Sequence, residues 1–132
     1  MLLDLKPMKT ENQRGIFVDW EMNRDTTQYN IPTVYRFDDK EAEKLADAVR
    51  KAVDAHSYLN TEFVAENSDI MQKPTGKKAS EIIVQKLDFE PDSAFFQKLV
   101  KPFNLLEDRL YRICVYKSPK AVYLFTDIHH TV

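Results

Sequence analysis

Two spacings of apolar residues divide the chain into segments, one typical of helices and one typical of strands. Apolar residues recur at helical spacing over residues 10–22 and 42–56, which predicts two amphipathic helices. Asp38 and Asp39 suit the N-cap and first turn of the second helix. A third, short helix is predicted within residues 91–102, because proline favours the first turn of a helix and another proline ends it.

Segments rich in β-branched and aromatic residues predict the strands. The last of them, residues 121–129, is apolar on both faces, which is typical of a central strand covered by helices. The predicted fold class is therefore a layered α/β (α+β) sandwich, with a mixed, mostly antiparallel sheet and helices packed on it. The predicted strands are residues 29–37, a hairpin of 61–65 and 70–72, residues 82–84, and a hairpin of 110–116 and 121–129.

Composition excludes several classes of function. The net charge is −2 and the basic residues are scattered, so the chain lacks the positive field expected of a nucleic-acid-binding protein. Two glycines in 132 residues cannot build a dinucleotide fingerprint or a P-loop. The single cysteine, Cys114, excludes an internal disulfide and is expected to be a buried, inert thiol. With no bilayer-length apolar run and no secretory signal, we expect a cytoplasmic protein that does not enter a membrane.

Two adjacent histidines follow the predicted central strand. Because successive strand residues point to opposite faces, His129 shares a face with Asp127 and His130 shares the other with Ile128. The two imidazoles are therefore expected to have different roles, or else to be ordinary polar residues at a strand end. We predict no metal site, since the chain has only one other histidine, His56, and no thiolate cluster. His56 is expected to be a core or helix-end residue.

The histidine pair and two further stretches have sequences similar to known motifs. His129 and His130, followed by Thr131 and Val132, are similar to the start of a His-His-x-x-x-Asp-Gly motif, and the sequence ends before the Asp-Gly. Residues 10–17 (TENQRGIF) are similar to a Ser-x-Ala-Gln-x-Arg-Leu-Trp box, with departures at the third and sixth positions of that stretch. Residues 29–32 (YNIP) are similar to the stretch that usually comes just before the first strand in proteins that carry these two motifs.

Two more stretches complete the series. Residues 56–63 (HSYLNTEF) are similar to a His-Glu-x-Leu-Arg-Thr-x-Phe box, with Ser57 and Asn60 in place of charged residues. Residues 102–105 (PFNL), followed by 110–112 (LYR), are similar to a Pro-Phe-Asp-Leu…Pro-Leu-x-Arg stretch. In this order, the motifs resemble the condensation domains of non-ribosomal peptide synthetases, which have a chloramphenicol-acetyltransferase-like fold. Residues 1–132 would then be the N-terminal subdomain of such a domain.

The resemblance implies an amide-forming acyltransferase of antibiotic or other secondary metabolite biosynthesis. His130 would face the reacting centre, as general base or as a hydrogen-bonding group for the amine, and His129 would support it structurally. Both substrates would arrive on the phosphopantetheine arms of carrier domains, with no cofactor in this domain itself. The implied partners are peptidyl or acyl carrier domains, an adenylation domain and the C-terminal half of the domain. The 132 residues alone are expected to be inactive.

Three alternatives share features of this pattern. A coenzyme A-dependent acyltransferase of the same fold would share the histidine motif but not the box that contains Gln13. An epimerisation domain shares the histidine pair. A noncatalytic domain that only docks carrier proteins is the third alternative.

Overall fold

Helices and strands alternate through the part of the chain that the structure describes. This computed structural model describes residues 6–7, 11–66, 69–75 and 82–131. The elements are β1 (Lys6–Pro7), α1 (Glu11–Met22), β2 (Asn30–Phe37), α2 (Ala42–Ala55), a 3₁₀ turn (Ser57–Asn60), β3 (Thr61–Glu66), β4 (Asp69–Pro74), β5 (Val84–Lys86), α3 (Ser93–Gln97), β6 (Tyr111–Lys117) and β7 (Val122–His129).

The larger sheet has the strand order β2-β7-β6-β5. Strand β7 is antiparallel to both of its neighbours, β2 and β6, whereas β5 runs parallel to β6. The mixed, mostly antiparallel sheet with a central β7 is therefore as predicted. Because both edges of β7 are paired, its backbone is held rigidly up to the residue where the strand ends.

Helices cover parts of both faces of this sheet. On one face, Ala42 and Ala46 of α2 pack against Val115 and Val122, since alanine lets a helix approach a sheet closely. On the other face, Phe96 of α3 belongs to an aromatic cluster with residues of β6 and β7. The layered sandwich predicted from the sequence follows from these two packings.

A smaller sheet, with the order β1-β4-β3, was not anticipated as a separate unit. The hairpin of β3 and β4 was predicted, and its Phe63 enters a core cluster with Phe17 and Trp20 of α1 and with Phe103. The same cluster contains two buried leucines, Leu105 and Leu110. Helix α1 is therefore anchored between the small sheet and the segment that leads into β6.

Several local predictions differ from the structure. The N-cap of α2 is Glu41 rather than Asp38 or Asp39, and it makes no side-chain capping bond. The carboxylate of Asp38 instead accepts a hydrogen bond from Arg36. Strand β5 begins two residues later than predicted, because Ile82 is used as a buried anchor under α2 ahead of the strand.

Helix α3 is shorter than predicted and starts later than Pro91. Asp92 is its N-cap, with a carboxylate that accepts a hydrogen bond from the backbone N–H of Phe95. Trp20, Phe96 and Phe103 are buried in the core, whereas Phe95 is only half-buried. The predicted start of the first helix at Thr10 lies outside the described residues.

Candidate functional site

The end of β7 presents its two histidines to opposite environments. The backbone N–H of His129 donates to the carbonyl of Leu110 at 2.9 Å, and that of His130 donates to the carbonyl of Tyr29 at 2.8 Å. The side chain of His129 is 2% exposed, whereas that of His130 is exposed. The predicted division of the pair between two faces is therefore observed, with Asp127 buried on the same face as His129.

The imidazole of His129 closes a tight turn by bonding to Thr131, two residues further along the chain. Its Nδ1 accepts a hydrogen bond from the backbone N–H of Thr131 at 3.2 Å and lies 2.9 Å from the hydroxyl of Thr131. Because a backbone N–H can only donate, Nδ1 carries no proton, and the neutral ring holds its proton on Nε2. The tautomer of His129 is thus fixed by the main chain two residues further on.

Burial, together with the nearby charge of His130, lowers the pKa of His129 to about 4. The ordinary pKa of histidine is about 6.5, so His129 is uncharged at neutral pH. The rings of Phe103 and Tyr29 flank it, with centroids 5.6 Å and 6.3 Å from that of the imidazole. Tyr29 is itself held by α1, because its hydroxyl donates to Asp19 at 2.6 Å.

His130 is the accessible member of the pair. None of the residues that the structure describes forms a hydrogen bond with its imidazole. Its backbone is fixed, as described above, while both ring nitrogens remain available to a second molecule. An imidazole in this position can accept a proton or orient a hydrogen-bond donor.

Asp127 lies beneath the histidines and is fully buried. Its Oδ2 accepts a hydrogen bond from the side-chain amide of Asn30 at 2.9 Å, and Oδ1 has no hydrogen-bond partner within the described ranges. Burial raises the pKa of Asp127, and the bond from Asn30 and the charge of Arg112 offset this rise only in part. This carboxyl faces the interior of the protein, so it is not positioned to meet a substrate.

Three side chains clamp the backbone of residues 101–103 beside His129. Asn30 donates to the carbonyl of the first of these residues at 2.9 Å, and Trp20 donates to that of the third at 2.8 Å. Arg112 donates to the first two carbonyls at 2.6 Å and 2.7 Å, and its guanidinium lies 4.0 Å from the ring centroid of Phe103. The clamp fixes the Phe103 ring against the imidazole of His129.

Helix α1 also reaches the histidine turn directly. The side-chain amide of Gln13 donates to the backbone carbonyl of Thr131 at 2.9 Å. Sequence reasoning assigned no contact to Gln13 and no function to Thr131. Its motif position was the only available signal for Gln13, and spacing alone could not reveal a contact across the whole chain.

Other candidate residues lie away from this site. His56 is an exposed helix-end residue rather than a core one, with Nδ1 2.6 Å from the carbonyl of Ala52. Cys114 is half-buried rather than fully buried, and burial raises the pKa of its thiol. Within the described ranges, no three His, Cys, Asp or Glu side chains are grouped so that they could hold a metal ion. No described helix has the length and apolar character needed to span a membrane.

Known proteins with similar sequences are large synthetases. Residues 7–132 match the condensation domain family. Surfactin synthase subunit 2 of Bacillus subtilis (strain 168) is 24% identical over 131 residues, which cover 98% of this chain and 4% of that protein. Gramicidin S synthase 2 of Brevibacillus brevis is 28% identical over 122 residues, which cover 91% of this chain and 3% of that protein. The chain therefore spans only a small part of the curated relatives that it matches.

Solved structures share the fold. The starter condensation domain of rhizomide synthetase RzmA superposes with a TM-score of 0.80 at 20% identity, covering 96% of this chain and 32% of that chain. A four-domain nonribosomal peptide synthetase, holo-AB3403, gives a TM-score of 0.78 at 18% identity, covering 99% of this chain and 10% of that chain. The predicted fold class is confirmed by these superpositions. Since the family match spans residues 7–132, the chain belongs to the condensation domain family of non-ribosomal peptide synthetases.

Proposed function

We propose that this chain forms the histidine-bearing part of a condensation site, in which an amide bond is made between two carrier-bound substrates. The observation that carries the proposal is the exposure of His130 at the end of a rigid central strand, beside a buried and uncharged His129. Family membership supports the reaction class. A fixed, accessible imidazole is the group that such a reaction needs beside the attacking amine.

The reaction forms one bond and breaks one. The amine nitrogen of the acceptor aminoacyl thioester attacks the carbonyl carbon of the donor thioester, the carbon–sulfur bond breaks, and the donor carrier leaves as a thiol. One proton is lost by the nitrogen and one is gained by the sulfur, so the step needs no oxidant or reductant. His130 acts on the amine, either by accepting its proton or by orienting it through a hydrogen bond.

His129 supports His130 without taking part in proton transfer. Its Nδ1 is occupied by Thr131, and its lowered pKa keeps it uncharged. A positive charge at His129 would disfavour protonation of the neighbouring His130. The buried turn therefore places no second positive charge beside His130.

The proposed partners follow from the substrates. Carrier domains would present the donor and acceptor on phosphopantetheine arms, and an adenylation domain would activate the amino acid. The solved four-domain synthetase that shares the fold supports this multidomain setting. A further part of the condensation domain would complete the site, since the solved RzmA domain is about three times as long as the part that this chain matches.

The test is the substitution His130→Ala in a complete condensation domain that contains this chain. Donor and acceptor carriers are loaded, and the condensed product is followed by mass spectrometry. We expect the rate to fall by about two to four orders of magnitude, the range expected for loss of acid–base assistance. The matched control is His56→Ala, which removes an exposed imidazole from a helix end.

A near wild-type rate for His130→Ala would remove the proposed role. Inversion of the acceptor stereocentre without amide formation would favour the epimerisation alternative instead. The 132-residue chain by itself is expected to give no product, because one wall of a site cannot hold two thioester arms in near-attack geometry.

A further inference from the structure

Four of the hydrogen bonds among the described residues hold the backbone of residues 129–131, which are His130 and its two neighbours. Two belong to the sheet, from the N–H groups of His129 and His130. The third joins the N–H of Thr131 to Nδ1 of His129, and the fourth joins the carbonyl of Thr131 to the amide of Gln13. The backbone is therefore restrained on both sides of the residue whose side chain is exposed.

From this arrangement we propose that Gln13 is a positioning residue for His130, acting through the carbonyl of Thr131. The inference rests on the proposed function, because it concerns the residue that would meet the substrate. The first three hydrogen bonds are local to the large sheet and its end. The bond from Gln13 ties the main chain of the turn directly to a different element, helix α1.

The helix can serve as a firm reference point for the turn. Phe17 and Trp20, one and two turns further along α1, are buried in the core cluster that also holds Phe103. Trp20 donates to the backbone of Phe103, and Phe103 contacts the ring of His129. The turn is thus held by α1 at two places, through Gln13 on its main chain and through Phe103 on its imidazole.

Loss of the bond from Gln13 would remove the restraint that α1 places on the carbonyl of Thr131. This carbonyl could then rotate, and the backbone that carries the imidazole of His130 would be less restrained. A displacement of about 1 Å can reduce the rate of a positioned reaction by about 100-fold. A positioning role affects the reaction step, so kcat should fall while KM for the loaded carriers stays unchanged.

Two substitutions in the complete condensation domain test the proposal. Gln13→Ala removes the side chain, and Gln13→Glu keeps its size but replaces the donor with a carboxylate that cannot donate. We expect both to lower kcat by about 10- to 100-fold without changing KM for either carrier. Gln97→Ala, which removes an exposed glutamine from α3, is the control and should leave kcat unchanged.

A spectroscopic readout separates positioning from a general loss of structure. In ¹⁵N-histidine-labelled protein, the His130 signals are identified by their absence in His130→Ala, and those of His129 by their absence in His129→Asn. In both Gln13 variants, His129 should keep the pattern of a ring protonated on Nε2, while the His130 signals shift or broaden. Signals of both histidines that match the wild type, together with an unchanged kcat, would overturn the proposal.

The outcomes also separate this inference from the proposed function. If His130→Ala condenses normally, the proposed role of His130 fails first. If His130→Ala is inactive but the Gln13 variants retain full kcat, only the positioning role is wrong. If the Gln13 variants lose the His129 pattern as well, the residue holds the whole fold rather than the orientation of His130, which also contradicts the proposal.

Discussion

The two ends of strand β7 are closed in chemically different ways. At the start of the strand, the turn from β6 is organised around a carboxylate: Glu90 accepts hydrogen bonds from the hydroxyl of Ser118 at 2.7 Å, the N–H of Lys120 at 2.9 Å and the hydroxyl of Tyr123 at 3.3 Å. At the other end, the turn is organised around the uncharged imidazole of His129.

The difference shows what an exposed functional group requires of its surroundings. A charged acceptor makes stronger hydrogen bonds than a neutral one, so the carboxylate at the first turn is the better choice for stability alone. A fixed charge directly beneath His130 would, however, alter the ease with which His130 gains a proton. The neutral imidazole of His129 makes weaker hydrogen bonds but places no charge next to His130.

The largest expected effect comes from removing the acceptor at the histidine end. His129→Phe keeps an aromatic ring but leaves the buried N–H and hydroxyl of Thr131 without Nδ1, which should lower the free energy of unfolding by about 2 to 3 kcal/mol. His129→Asn places an amide oxygen near the position of Nδ1 and should lose less than half as much. Urea unfolding of the two variants measures the difference, and equal losses would show that Nδ1 does not hold the turn.

An effect of similar size is expected from acid, and it should reach the two ends of β7 in different pH ranges. The folded pKa of His129, about 4, lies below its unfolded value of about 6.5, so the unfolded chain binds the proton first. The contribution of His129 to stability is therefore complete above about pH 6.5 and is lost as the pH falls towards about 4, by about 3 kcal/mol.

The carboxylate end should respond only in stronger acid. Burial raises the pKa of Glu90, but the hydrogen bonds from Ser118, Lys120 and Tyr123 outweigh this, and the net pKa is lowered. Its contribution is therefore present above the unfolded pKa of glutamate and is lost as the pH falls through the lower, folded value.

Unfolding free energies of wild type and His129→Asn, measured from pH 7 to 3, separate the two ends. The difference between the two proteins reports on His129 alone, because both contain Asp127. The raised pKa of Asp127 acts in the opposite direction. A difference that does not change between pH 6.5 and 4 would contradict the assignment.

The smallest effect is expected from Ser118→Ala at the first turn. The hydroxyl of Ser118 is buried and bonds both to Glu90 and to the backbone of Ala121. Its loss should lower the free energy of unfolding by about 1 kcal/mol, because Glu90 can rebind water and the buried carbonyl of Ala121 keeps its hydrogen bond from the backbone N–H of residue 118. The ¹⁵N signals of the histidines should not change. A larger loss of unfolding free energy for Ser118→Ala than for His129→Phe would mean that the first turn contributes more stability than the histidine turn.

Sequence reasoning succeeded where the structure depends on local periodicity. The alternation of side chains along β7 placed His129 and Asp127 on one buried face, and the apolar character of both faces identified the strand as central. Strand β5 and the N-cap of α2 were misplaced by two or three residues, because burial of Ile82 and the pairing of Asp38 with Arg36 overrode local preference. The contact of Gln13 with Thr131 left no periodic signal at all.

The contact between Gln13 and Thr131 also limits when this part of the chain can fold during synthesis. Gln13 and Thr131 are 118 positions apart. At the usual rate of about 5–20 residues per second, a ribosome adds the partner of Gln13 about 6 to 24 seconds after Gln13 itself. During this interval α1 and its aromatic residues must wait for strand β7. The histidine turn thus cannot close before residue 131 has been added, however early α1 folds.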